Sequence, residues 1–410
     1  MSDRDRLIEA FTTGALVRPS PDHMAFIDVI RGVAHACGVT VPLNDHVRSI
    51  TAHLNGADHI ILLLADGLGI ESVDAMPRGS WIRQHTLRSI HAPFPSTTTS
   101  AVTSIATAQY PATHAVTGWW VHVPSLQAPA TVFAHDRATD GTSLDRLGVT
   151  VRDLCPAEPM LPLMTRSAAL VLPADIVESP FTCYMAGTAE RIGYGRLTEA
   201  AQIIARRIME ADGPTFTYWY TSSPDREAHE HGATGAASRD ASDRLDRVLE
   251  RLNGELAELG RTYRIIGTAD HGHLQMQPHL ELEEDDPLLD DLTAPPAGDM
   301  RVQFWHVSRG RESSFAAGFR QRFGRWFVLL TAAEFEELGL LGADPWSTPT
   351  RDRVGQFVSI SMGTAALRFA GLRGQAGYRR MRSGHSGLSP AEMLVPLIIA
   401  GETPAPAFDA

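Results

Sequence analysis

The stretch HIILLLADGLG, residues 59–69, decides the architecture. Residues 59–65 form an apolar run without polar alternation, and Asp66-Gly67 ends it with turn chemistry. A run this short and this continuous suits a strand covered on both faces, as in a parallel sheet. The signature recurs at 216–220 (FTYWY, followed by SSPD) and at 263–268 (YRIIGT, followed by Ala269-Asp270-His271-Gly272). It returns at 393–400 (MLVPLIIA), where the polar signal comes first, as Gly384-His385-Ser386-Gly387. Residues 197–211 and 241–259 carry apolar positions at spacings of three and four, with charged opposite faces, and predict helices. Strands alternating with such helices predict βαβ units and a mainly parallel central sheet flanked by helices. In such sheets ligands bind beyond the carboxyl ends of the strands, where three of the four runs place Asp or His.

Around this frame the N-terminal residues 1–55 read as helices and turns. Residues 281–298 (ELEEDDPLLDDLTAPPAG) read as an acidic, Pro-rich connector, and 300–372 as a compact set of strands and helices. The expected organisation is a catalytic domain of residues 1–280 and 376–410, with 281–375 inserted as a small α+β cap. The net charge is −12, from 48 acidic and 36 basic residues, which argues against polymeric nucleic acid as a partner. It also requires any anion site to carry its own local positive charge. Three scattered cysteines, Cys37, Cys155 and Cys183, give neither a disulfide framework nor a thiolate zinc site. No apolar run approaches the ~20 residues of a membrane span. The N-terminus lacks the pattern of a signal peptide, so the expected location is cytoplasmic. Oligomeric state is not encoded in any pattern here.

The chemistry-bearing residues cluster after the strands. Asp66, Asp225 with His229 four residues on, Asp270 with His271, and His385 are donors that divalent metals accept, zinc readily. Asp225 and His229 fall on one side of a helical turn. Each element alone is weak, because D-x-x-x-H and D-H-G recur by chance. Their strength lies in flanking strands of one sheet. Three carboxylates against two divalent ions leave a local charge of about +1, the positive centre the acidic chain otherwise lacks. Two ions ~4 Å apart can hold both the attacking and the leaving oxygen of an in-line displacement at phosphorus. The segment 92–110 (APFPSTTTSAVTSIATAQY) supplies hydroxyls at a predicted helix start, where free backbone N–H groups also suit a phosphate.

The order of Asp66-Gly67 after a first strand, FPSTTTSAVTSIATAQYPATHAVTGW, PDREAHEHG, ADHGH and SGHSGLSPAEMLVPLI resembles the alkaline phosphatase superfamily. Within it, the pattern is most similar to the type I phosphodiesterase/nucleotide pyrophosphatase family. The likeness covers roughly residues 58–120, 215–275 and 380–400. It implies an α/β sandwich with two divalent ions, zinc by family habit and manganese as the alternative. Matching the family motif F-P-T-x-T to Phe94-Pro95-Ser96-Thr97-Thr98 implies that Thr98 is the nucleophile, with Thr97 and Thr99 as competitors. By the same matching Asp66, Thr98, Asp270 and His271 hold one ion, and Asp225, His229 and His385 the other. His231 competes with His229. The family's phosphate-binding Asn falls on Ala101, so that donor must come from the metals, the Thr99 backbone N–H, or the Thr99 or Ser100 side chain.

The implied activity is metal-dependent hydrolysis of a small phosphorylated substrate, a phosphodiester or nucleotide pyrophosphate, through a phospho-threonine. A phosphomonoesterase or phosphonate hydrolase of the same superfamily is the runner-up. A non-catalytic phospholigand-binding protein is the alternative of another class. His114 reads as structural, and His273 and His279 as exposed loop histidines or partners that orient a ligand. Trp119-Trp120 read as packing, and Arg379, Arg380 and Arg382 as a surface basic run.

Overall fold

The computed structural model describes residues 1–401 and carries an α/β fold with two seven-stranded sheets. Residues 402–410, which fall in the expected catalytic domain, lie outside the described residues.

The first sheet runs in the order Thr86–His91, Leu394–Ala400, Tyr263–Thr268, His59–Ala65, Thr215–Thr221, Ser167–Pro173, Glu190–Tyr194. His59–Ala65 is buried along its whole length and pairs in parallel with Thr215–Thr221 and Tyr263–Thr268. That burial on both faces is why its sequence shows no alternation. Leu394–Ala400 runs antiparallel to both neighbours. Its amino end therefore lies at the same edge as the carboxyl ends of the parallel strands. This explains why His385 precedes its strand while Asp66, Asp225 and Asp270 follow theirs. The helices Leu197–Met209 and Ala236–Glu258 cover the sheet through Ala200, Ile204 and Ile208, and through Leu245, Leu249, Leu252 and Leu256. Both match the three-and-four spacing of apolar residues.

The second sheet is antiparallel, in the order Phe327–Thr331, Phe357–Ser361, Val302–Trp305, Ala297–Asp299, Trp120–Val123, Ala128–Thr131, Asp136–Arg137. Its composition corrects the expected domain division. Residues 281–375 are no self-contained cap, because their strands continue into strands from residues 120–137. Alternation along the strands shows the same continuity. Val302, Phe304, Val328, Leu330, Val358 and Ile360 join the core that holds Leu62 and Leu64. Trp305, Phe327, Leu329 and Phe357 point the other way, where Phe315, Phe319 and Phe323 of the helix Glu312–Phe323 cover them. A sheet with both faces covered and one face in the main core is part of the catalytic body.

A short antiparallel pair, Leu274–Gln275 with Ser383–Gly384, ties the Asp270 loop to the His385 loop.

Candidate metal centre and nucleophile

Three central strands and one reversed strand deliver the site to one edge of the first sheet. Asp66 and Asp270 leave the carboxyl ends of adjacent strands and are buried. Asp270 Oδ1 accepts the backbone N–H of Gly67 at 3.0 Å and of His271 at 3.1 Å. Its Oδ2 is buried without a hydrogen-bond partner. Tyr220 Oη donates to Asp66 Oδ2 at 2.6 Å, while Asp66 Oδ1 is likewise buried and unpartnered. Each carboxylate thus has one oxygen fixed and one left open. Both open oxygens face His271 Nε2, at 3.5 Å from Asp66 and 3.3 Å from Asp270. Burial, reinforced by the charges of Asp270 and Asp225, pushes the Asp66 carboxyl well above the usual carboxylate range. Leaving anionic oxygens buried and unpaired is costly unless a cation meets them, so the donor set fits a divalent ion.

Thr98 begins the helix Thr98–Thr107, and its Oγ1 lies 3.3 Å from the same His271 Nε2. His271 Nδ1 faces the carbonyl of Gly272 at 3.1 Å, so Nδ1 donates there and Nε2 is turned toward Thr98 and the two carboxylates. The other hydroxyls of the run are placed differently. Thr97 Oγ1 donates to Asp299 Oδ2 at 2.8 Å, and Ser100 Oγ donates to the Val116 carbonyl at 3.0 Å. Thr99 Oγ1 is buried without a partner. Ala101 is fully buried and offers no polar atom.

Asp225 starts the helix Asp225–His231 and gathers imidazoles around Oδ1. His229 Nε2 lies at 3.3 Å, His385 Nε2 at 3.8 Å and His273 Nε2 at 2.8 Å. Burial works against the Asp225 charge, but His229 and His273 outweigh it and hold the carboxyl well below its usual range. Burial, aided by His271 and His229, pushes His385 well below the ordinary histidine value. A neutral imidazole is the form that binds a metal.

Among the described residues, three sets place their donor atoms within 4.8 Å of one another. They are Asp66, Asp270 and His271; Asp225, His229 and His273; and Asp225, His271 and His385. Every residue expected as a ligand falls in this one constellation, with Thr98 against His271. His231 is exposed, paired with Glu230 at 3.8 Å, and outside it.

His273 is the clearest correction among the residues read as loop histidines. It is buried, because Gly272 packs against the Ala391 carbonyl and donates its N–H to Glu392, drawing the loop inward. His279 stacks on Tyr378 away from the site. His114 is structural, as expected, bonded to Ser104 at 3.0 Å and to the Val116 N–H at 3.1 Å. Arg379 pairs with Glu281.

Two supports had no sequence signal of their own. Asp299 reaches Thr97, the residue before the helix, from the second sheet. Burial raises its carboxyl above the usual range. An Asp299→Ala variant is expected to lower kcat ~10-fold while metal content stays unchanged, since a hydrogen bond to a charged group contributes ~1.5–3 kcal/mol. Asp299→Asn, which keeps an acceptor, should recover most of it.

The second support is the buried pair Arg301–Glu392, with Nε to Oε1 at 2.5 Å. Glu392 also accepts the N–H groups of Gly387 and Ser389, and Arg301 N–H donates to Ser386 Oγ. Ser386 adopts φ +96°, a region unfavourable for a residue with a Cβ. This bracket therefore holds the loop that presents His385. Glu392→Ala leaves Arg301 buried and unpaired, and is expected to cost ~3–5 kcal/mol in urea unfolding.

A model of the type I phosphodiesterase/nucleotide pyrophosphatase family matches residues 60–312. The chain belongs to this family. As a type I phosphodiesterase/nucleotide pyrophosphatase family member it is an enzyme, a hydrolase. Solved structures similar to it include murine ectonucleotide pyrophosphatase/phosphodiesterase 5, at 14% identity and TM-score 0.61, covering 82% of this chain and 87% of that one. An inactive threonine-to-alanine form of that murine protein, in complex with AMP, aligns at 15% identity and TM-score 0.60, over 82% of this chain and 87% of that one. Phosphonoacetate hydrolase from Sinorhizobium meliloti 1021, in complex with phosphonoacetate, aligns at 18% identity and TM-score 0.52, over 83% of this chain and 89% of that one. At these identities the likeness concerns the fold. No curated protein shows significant sequence similarity to the chain.

Proposed function

We propose that this family member hydrolyses small phosphodiesters or nucleotide pyrophosphates at a two-metal site, zinc in the first instance, with Thr98 as nucleophile. The observation that carries the reading is the placement of Thr98 Oγ1 against His271 Nε2, beside the open oxygens of Asp66 and Asp270. Bound divalent ions would supply the charge that lowers the hydroxyl pKa and stabilises the displaced oxygen. Asp66, Asp270, His271 and Thr98 would hold one ion, and Asp225, His229 and His385 the other.

The protein's own part is positional. The helix start aims Thr98 Oγ1 at phosphorus and offers backbone N–H groups to the phosphoryl oxygens. The Thr98 O–P bond forms as the ester P–O bond breaks, and the leaving oxygen departs with the bond pair and takes up a proton. Water then cleaves the phospho-threonine, restoring the hydroxyl and releasing the phosphoryl product. With Ser100 engaged and Ala101 apolar, Thr99 is the hydroxyl of this turn left to assist. The inactive threonine-to-alanine relative bound to AMP supports the nucleophile and the substrate class.

Ala101 in place of the family's Asn, together with the phosphonoacetate hydrolase likeness, favours phosphonate hydrolysis as the second reading. A panel of bis-p-nitrophenyl phosphate, a nucleotide-sugar, p-nitrophenyl phosphate and phosphonoacetate, each with zinc and with manganese, separates them. Highest kcat/KM on the first two supports the proposal, and highest on phosphonoacetate overturns it. Among the described residues no helix is long and apolar enough to cross a membrane.

A further inference from the structure

We propose that His273 is a fourth protein ligand of the ion held by Asp225, His229 and His385, so that the two metal positions are chemically unequal. The inference rests on the two-metal reading above and adds a residue that the family resemblance does not supply.

The support is the orientation of the rings around Asp225. Each ring around Asp225 has Nδ1 committed elsewhere. His229 Nδ1 faces the Ser383 carbonyl at 2.9 Å, and His385 Nδ1 faces the Ser96 carbonyl at 3.0 Å. A carbonyl only accepts, so both rings carry a proton on Nδ1 and turn Nε2 toward Asp225. His273 follows the same logic through a hydroxyl. Its Nδ1 lies 3.2 Å from Ser383 Oγ, and that hydroxyl already donates its one proton to the Ala228 carbonyl at 2.5 Å. Ser383 Oγ is therefore the acceptor and His273 Nδ1 the donor, which leaves His273 Nε2 turned toward Asp225.

That nitrogen sits 2.8 Å from Asp225 Oδ1. A divalent ion held by Asp225 would meet this nitrogen too and take the place of any proton on it. Asp225, His229 and His273 place their donor atoms within 4.8 Å of one another, and His385 Nε2 lies 3.8 Å from the same Asp225 Oδ1, a nitrogen-rich donor set for a borderline metal. The ring centroids agree, at 4.9 Å for His229–His273, 5.1 Å for His229–His385 and 5.4 Å for His273–His385. Ser383 acts as the common fixture, orienting His229 through its carbonyl and His273 through its hydroxyl.

The consequence is an asymmetric pair. The position at Asp225 is rich in nitrogen, while the position at Asp66, Asp270, Thr98 and His271 is rich in oxygen. Imidazole favours zinc, and carboxylate and hydroxyl tolerate manganese. The Asp225 position should retain zinc when manganese has exchanged into the other.

The test titrates metal-stripped full-length protein with zinc against a chromogenic chelator, for the wild type, His273→Ala, His273→Gln and His229→Ala. Circular dichroism verifies the fold of each. The wild type should bind two zinc ions in unequal steps. Losing an orienting partner alone weakens metal affinity ~10–100-fold, so both His273 variants should weaken one step at least ~10-fold. They should weaken the same step as His229→Ala and spare the other. In a zinc-loaded wild-type crystal, His273 Nε2 should lie ~2.0–2.1 Å from an ion. Two zinc steps unchanged in both His273 variants, or a zinc-loaded structure with His273 outside coordination distance, overturns the fourth ligand and leaves the two-metal reading standing. No zinc bound by the wild type overturns both.

Discussion

Replacing Thr98 by alanine is expected to lower kcat by roughly 10^4-fold or more, the scale seen when a nucleophile acting within a catalytic unit is removed. The neighbouring hydroxyls do not rescue it. Thr97 Oγ1 is held by Asp299, and Thr99 lies ~100° further around the helix, with its oxygen buried and unpartnered. Zinc content should fall little, because Asp66, Asp270 and His271 keep their open atoms. Structural damage should also be small, since the contact that Thr98 Oγ1 makes is to His271, a residue of the site itself. Three measurements decide the matter together: steady-state turnover of bis-p-nitrophenyl phosphate, metal content, and mass spectrometry of acid-quenched wild type for phosphate on Thr98. Full turnover in metal-replete Thr98→Ala would remove the threonine from the mechanism.

The strands and the ligands they carry were readable because burial leaves a local trace. His59–Ala65 is covered on both faces, so its sequence is apolar throughout, and the polar residue that follows stands out. The position of His385 ahead of its strand held more information than a ligand assignment. A donor before a strand can share an edge with donors after other strands only when that strand is reversed, which Leu394–Ala400 is.

What escaped the sequence depends on partners far along the chain. Nothing local in Trp120–Val123 announces that it will pair with Gly298, and this pairing turns an apparent insert into part of the catalytic body. Asp299 lies on a strand of three residues beside a Pro- and Gly-rich stretch, too short to show alternation. His273 looked like a solvated loop residue because loops usually lie at the surface. The close approach of Gly272 to Ala391, which leaves no room for a Cβ, pulls this loop inside.

Asp270→Asn is the second substitution with a large expected effect, and it separates metal loss from misfolding. The amide oxygen can take over Oδ1, still accepting the N–H groups of Gly67 and His271, so the turn after Tyr263–Thr268 keeps its shape. The amide NH2 then occupies the place of Oδ2, the buried oxygen that faces His271 Nε2 at 3.3 Å without a hydrogen-bond partner. A lone pair becomes two N–H donors directed where a cation should bind, and one negative charge is lost. Elemental analysis should find about one ion per chain in place of two, with the one at Asp225 retained, because its ligands are untouched. Turnover should fall ~10^3-fold, since one of two metal positions carries the nucleophile. The urea midpoint of the metal-stripped variant should equal or exceed that of the metal-stripped wild type. Without an ion, the buried like charges of Asp66, Asp270 and Asp225 are a liability that the amide relieves. Lost activity with both ions still bound would instead give Asp270 a role other than holding metal.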